Sequence, residues 1–132
     1  MFSFFSNEKN LETLTPDFLE FKVIGKSTPE IGNNTKIDYR LKLKGIPFKW
    51  QSEIKDWIPD KQFVDTQIKG PYRYWHHTHS FESVREGTLM IDRVLYQMPM
   101  GTVGEFATLW QVKRDLNTIF SYRRKKIEEL FP

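Results

Sequence analysis

The chain contains no cysteine, which excludes disulfides and thiolate metal sites and fits a reducing compartment. It has no uninterrupted apolar run approaching the roughly 20 residues that a membrane-spanning helix requires. Its opening, MFSFFSNEKN, carries neither a basic leader nor a small-residue cleavage site, so no signal peptide is expected and a cytoplasmic location is. A glycine-rich phosphate loop and an activated nucleophile are missing as well. Charge of one sign is scarce: 20 Lys and Arg against 17 Asp and Glu leave a net charge of +3. Acidic residues break up the basic runs, as in RRKKIEE at 123–129. Such mixing marks a solvated face rather than a phosphate footprint. The aromatic and basic residues also do not share a face, as a single-strand stacking platform requires, so nucleic acid is not an expected partner.

What the chain does have is aromatic mass. Among 132 residues are 11 Phe, 5 Tyr and 4 Trp. The length suits one domain, and so many large rings imply either a thick core or a lined cavity. Phe2, Phe5, Leu11 and Leu14 suggest short helical segments, capped near Ser6 or Asn7 and closed by Pro16. The period then changes to two. FLEFKVI (18–24) reads as a strand, and residues 25–34 as a loop rich in Gly, Pro and Asn. In TKIDYRLKLKG, Ile37, Tyr39, Leu41 and Leu43 alternate with charged residues, the pattern of a half-buried strand. A two-residue turn at Lys44-Gly45 places Leu41 opposite Phe48 and Tyr39 opposite Trp50. The next strand, 46–57, ends at Pro59-Asp60. KQFVDTQI follows, with Phe63, Asp65 and Gln67 on one face and Val64, Thr66 and Ile68 on the other. Gly70-Pro71 leads into YRYWHHTHSFES. A turn at Glu86-Gly87 then puts His79 opposite Val94, His77 opposite Tyr96, Trp75 opposite Met98 and Phe81 opposite Asp92. After Pro99, Gly101 and Gly104 the period becomes helical, with Leu109, Val112, Leu116, Ile119, Arg123, Ile127 and Leu130 in one stripe. The expected architecture is α+β: short N-terminal helices, an antiparallel sheet of about six strands and one long C-terminal helix, in a single domain over residues 1–132.

The combination IDYRLKLKGIPFKWQSEI, W-I-P, FVDTQ, GPYRYWHHTHSFE, GTLMIDRVLYQMP and IFSYRRKKI resembles a bacterial ligand-binding branch of the SRPBCC, or START-like, superfamily. The resemblance spans nearly the whole chain and implies a helix-grip fold, in which a curved antiparallel sheet holds the C-terminal helix. It implies an apolar ligand between the two. Lipid carriers, the birch-pollen allergen group, polyketide cyclases and Hsp90-activator domains share that superfamily. Its members normally open with a strand before the segment that here reads MFSFFSNEKNLETLTP, so the first strand is expected to be lacking. The bare sheet edge would then be covered by chain lying upstream or by a second copy, a homodimer.

The cluster WHHTH places His77 and His79 on one face of a strand and His76 on the other. Zinc needs three or four convergent ligands, and two histidines at this spacing arise often by chance, so neither a metal nor any other cofactor is expected. An imidazole held by a carboxylate, His77 or His79 with Asp92 or Asp65, would suit acid/base chemistry of the cyclase or dehydratase kind. A filled core of packed rings is the plain alternative. Buried polar groups cost roughly 1–3 kcal/mol each when unpaired, and a pocket gives them a purpose. The expected pocket has walls of Tyr39, Trp50, Trp75 and Tyr96 and polar points at Ser52, Asp65, Gln67, His77, His79 and Asp92. Leu41, Phe48 and Ile54 complete the walls. Its ligand would be small and largely apolar with one polar end. A cyclase- or dehydratase-like enzyme and a protein-interaction domain like the Hsp90 activators stand as alternatives, the latter needing a large exposed apolar patch. Arg123, which interrupts the helix stripe, either reaches an inner aspartate or, the commoner outcome, snorkels to the rim.

Overall fold

The computed structural model describes residues 1–43, 46–97 and 105–131, with side chains for all of these except 43 and 105–112. The chain opens with α1 (Phe2–Phe5), α2 (Asn10–Leu14) and a 3-10 turn at Asp17–Leu19. Six strands follow: β1 (Lys22–Lys26), β2 (Lys36–Leu43), β3 (Ile46–Ile58), β4 (Gln62–Lys69), β5 (Tyr74–Val84) and β6 (Gly87–Gln97). They pair in simple sequence order as one antiparallel meander. The long helix α3 (Glu105–Leu130) closes the chain. The architecture is α+β, as the change of period from two to 3.6 indicates. No helix among the described residues is long and apolar enough to cross a membrane.

The β2–β3 register places Tyr39 opposite Trp50 and Leu41 opposite Phe48, as the alternation requires; the Lys44-Gly45 turn itself lies outside the described residues. β3 carries a bulge where its pairing jumps between Lys55 and Ile58, and Asp56 there takes a left-handed φ of 49°. An extra residue on one strand bends it and sharpens its twist.

Three expectations need correction. Residues 18–21 are not strand: the 3-10 turn covers Asp17–Leu19, and β1 begins at Lys22. Pro16 sets φ for a tight turn, so Leu19 and Phe21 pack on the inner face instead of extending a ladder. The β5–β6 hairpin turns at Arg85-Glu86, because Val84 pairs with Gly87. Gly87 holds φ at +147°, a conformation that favours glycine. His79 therefore opposes Asp92, His77 opposes Val94, Trp75 opposes Tyr96 and Phe81 opposes Met90. The displacement from the expected register is two residues, so every side chain keeps its face. Met98 lies outside the described residues, as do Pro99, Gly101 and Gly104 and the side chains of Leu109 and Val112 in the helix stripe.

The core sits between the inner face of the sheet, the N-terminal segment and α3. Phe5, Leu14, Ile37, Ile54, Phe63 and Phe81 are buried in one cluster, each contributing about 1.5–3 kcal/mol through burial. Glu8 helps to hold the N-terminal segment down. Its carboxylate is buried and lies 2.9 Å from Lys26 Nζ on β1. Burial alone would raise its pKa, but hydrogen bonding to Lys26 and the lysine charge leave it lowered.

Candidate functional site

Period-two alternation on β4 and β5 aims Asp65, Trp75, His77 and His79 at α3. From β6 comes Asp92, and from α3 comes Arg123, buried at 6% exposure. Arg123 does not snorkel to the rim. Its Nε donates to Asp92 Oδ2 at 2.7 Å, and its Nη2 donates to Asp92 Oδ1 at 3.2 Å. A two-point carboxylate grip inside the molecule outweighs hydration of the head because the carboxylate is there to receive it.

The same Nη2 lies 3.2 Å from His79 Nδ1. Arginine can only donate, so His79 Nδ1 accepts and the imidazole proton sits on Nε2. That proton is donated to Asp65 Oδ2 at 2.6 Å. His79 is thus neutral, with its tautomer fixed from both sides. Burial, then the neighbouring His77, pushes its pKa down to about 4 in spite of Asp65. His77 stacks on His79 with ring centroids 3.7 Å apart. His77 Nε2 bonds Asp92 Oδ1 at 2.9 Å, and its Nδ1 stands 3.4 Å from Asp65 Oδ2. Burial would raise both aspartates; for Asp65 the charge of His77 and the bond from His79 overcome it. For Asp92 the bond from His77 and the charge of Arg123 do so. Both carboxyls end below their usual range. Two carboxylates face one guanidinium, so with His77 singly protonated the network carries one net negative charge, and with His77 doubly protonated it carries none.

Asp65, His77 and His79 are also the trio whose ligand atoms converge closely enough to hold a metal ion among the described residues. Both nitrogens of His79 and Oδ2 of Asp65 are engaged by the hydrogen bonds above, and the guanidinium of Arg123 stands against His79. That set suits a hydrogen-bonded network better than a divalent ion.

Beside the network lies a chamber of about 160 Å³. Tyr39, Trp50, Ser52, Asp65, Trp75, His77 and His79 line it. Sequence reasoning missed its other contributors. Leu11, Leu14, Leu19 and Phe21 roof it from the N-terminal segment, Tyr72 closes one end, and Leu116, Ile119 and Phe120 face it from α3 beside Arg123. The roof residues are amphipathic in sequence but carry no signal of which cavity they cover. Trp50 and Trp75 meet edge to face at 5.2 Å, and Tyr72 packs at 5.0 Å from Trp75. Trp50 Nε1 donates to Ser52 Oγ at 3.0 Å. Burial raises the Tyr39 and Tyr72 phenols well above their ordinary pKa, so both stay protonated.

Three of the expected lining residues stand elsewhere. Gln67 does not reach the chamber. Its Nε2 donates to the Tyr72 carbonyl at 2.6 Å and its Oε1 accepts the Tyr72 N–H at 3.1 Å, clamping the β4–β5 connection. A Cβ on Gly70 would meet the Gln67 amide, so a larger residue there would have to displace the clamp. Asp92 and Tyr96 line a second hollow, of about 800 Å³, between β6 and α3. Asp92 serves the network from behind. Of the walls named in addition, Leu41 lines the chamber and Phe48 and Ile54 do not.

No protein-family model matches the chain, and no curated protein sequence does. Among solved structures, the chain is similar to the crystal structure of TTHA0849 from Thermus thermophilus, with a TM-score of 0.69 over 99% of this chain and 89% of that one. Sequence identity is 13%, so the likeness establishes a shared fold, with its antiparallel sheet and C-terminal helix, and nothing further.

Proposed function

We propose that the protein binds a small, largely apolar molecule in the chamber between sheet and C-terminal helix, in the manner of a helix-grip START-like domain. The observation that carries this reading is the junction of an aromatic chamber with a buried ionic network. Buried ion networks are weak contributors to stability, and strongly perturbed titratable groups gather at functional sites. At about 160 Å³ the chamber is smaller than a drug-sized site and close to the roughly 150 Å³ that accommodates a benzene ring. The test is titration with benzene, followed by the indole NMR signals of Trp50 and Trp75, with Trp57 as the internal control. Saturable shifts confined to the first two support the reading. Silence of both at saturating benzene defeats it.

One observation favours acid/base catalysis as a second reading. Both nitrogens of His79 are engaged, whereas His77 lines the chamber with one nitrogen held loosely, 3.4 Å from Asp65. Under this reading His77 exchanges the proton and Asp65 and Asp92 orient it. Acetophenone in D2O would then exchange its methyl protons faster with the protein than with His77→Ala. Equal rates would remove the reading.

For the bare edge, the proposal is a second copy paired along β6, where Leu89, Ile91 and Leu95 stand exposed. Light scattering on a concentrated sample should give twice the chain mass, reduced to one by Ile91→Lys. A monomer throughout would dismiss the pairing.

A further inference from the structure

Resting on the ligand reading above, we infer that the chamber selects a small aromatic molecule whose polar end donates a hydrogen bond, a phenol being the simplest case, and turns away an aromatic carboxylate. The inference begins at Asp65. Its Oδ2 serves both imidazoles, 2.6 Å from His79 Nε2 and 3.4 Å from His77 Nδ1. Its Oδ1 meets no donor among the described residues. No fully buried side-chain oxygen or nitrogen among them lacks a partner, so Oδ1 keeps accessible surface. The Asp65 side chain is indeed 18% exposed. Asp65 lines the chamber, so that this surface is available to a molecule bound there.

Neighbouring groups of the network already have partners. Ser52 Oγ accepts from Trp50 Nε1. His79 uses both nitrogens, and Arg123 is committed through Nε and Nη2 while its guanidinium lies over the Phe5 ring at 5.1 Å. Within the network, Asp65 Oδ1 is thus a carboxylate oxygen that takes no donor from the described residues, set among aromatic walls. Such an oxygen welcomes an O–H or N–H. It repels a second carboxylate, because two acids cannot share the site without one of them taking a proton.

The experiment is calorimetric and NMR titration of the protein at pH 7 with toluene, anisole, phenol and benzoate. Toluene and phenol have nearly the same shape. Apolarity alone ranks toluene first, anisole second and phenol third, because water holds the hydroxyl. The inference expects phenol to bind at least as tightly as toluene and benzoate not to bind. Asp65→Asn should lower the phenol preference over toluene about tenfold; should that variant not fold, the ranking with the unaltered protein decides. Toluene ahead of anisole ahead of phenol overturns the inference and leaves the ligand reading standing, as does benzoate binding best. Failure of all four to move the Trp50 and Trp75 signals overturns the ligand reading and this inference with it.

Discussion

The two ends of the inner sheet face are built from the same alternating pattern and reach opposite outcomes. At one end Phe2, Phe63 and Phe81 pack edge to face or stacked, with Trp57 against Phe2 at 5.1 Å and Phe5 against Phe81 at 5.4 Å. Helix α1 sits there and fills the space. At the other end Trp50, Tyr72 and Trp75 touch one another around a hollow of about 160 Å³, which the chain from Leu11 to Phe21 and one face of α3 cover without filling. The ionic network lies at the boundary, where His79 stacks on Phe63 at 4.2 Å and on His77 at 3.7 Å. Filled core and lined pocket are thus both present, and the choice between them is made locally by what packs on the sheet.

The largest effect on this contrast should come from the boundary itself. Arg123→Met leaves the half-buried Asp92 with His77 as its remaining hydrogen-bond partner among the described residues, and since an uncompensated buried charge costs about 3–5 kcal/mol, about 2–3 kcal/mol is expected here. Urea denaturation should show a loss of that order, and adding Asp92→Asn should restore part of it. An unchanged midpoint in the single variant would mean that the network is ornamental.

Next comes acidity. His79 has a native pKa of about 4 against 6.5 unfolded, so between those pH values the unfolded chain binds a proton that the native state refuses. Stability present above pH 6.5 should fall by roughly 3 kcal/mol on approach to pH 4. Below that, the lowered pKa values of Asp65 and Asp92 carry the decline further. In His79→Gln the first part of the slope should vanish while the second remains, as thermal melts across pH would reveal.

Overpacking sharpens the comparison directly. Ile37→Phe, at a position 1% exposed in the filled end, should cost about 1–3 kcal/mol, whereas Leu41→Phe, which points into the hollow, should cost under about 1. Equal penalties would mean that the hollow does not persist in solution. Gln67→Ala should cost about 1 kcal/mol for the lost clamp on Tyr72, with a change in near-ultraviolet circular dichroism from Trp50 and Trp75 as the ring against them loosens.

How much of this was legible beforehand differs by kind of residue. Alternation located Trp75, His77 and His79 on one face with Asp65, since a strand leaves no freedom over which side chains share a side. The same rule kept the faces right in β5–β6 although the turn falls one residue earlier than the Glu86-Gly87 dipeptide suggests, because the register moved by two. Gln67 satisfied the rule and still turned aside, since the backbone groups of Tyr72 lay closer than any chamber guest. Tyr72, read as the first residue of the strand YRYWHHTHSFES, lies before β5, which begins at Tyr74, so alternation did not indicate that it lines the chamber.

By itself the sequence determined the α+β order, the antiparallel meander, the strand faces and the C-terminal helix, because these follow from side-chain period and local turn chemistry. Only the tertiary structure decided where Arg123 goes, which nitrogen of His79 carries the proton, and which end of the sheet stays hollow. Each depends on groups distant along the chain meeting in a low-dielectric interior, where a hydrogen bond at 2.7 Å between Arg123 and Asp92 outweighs any local preference.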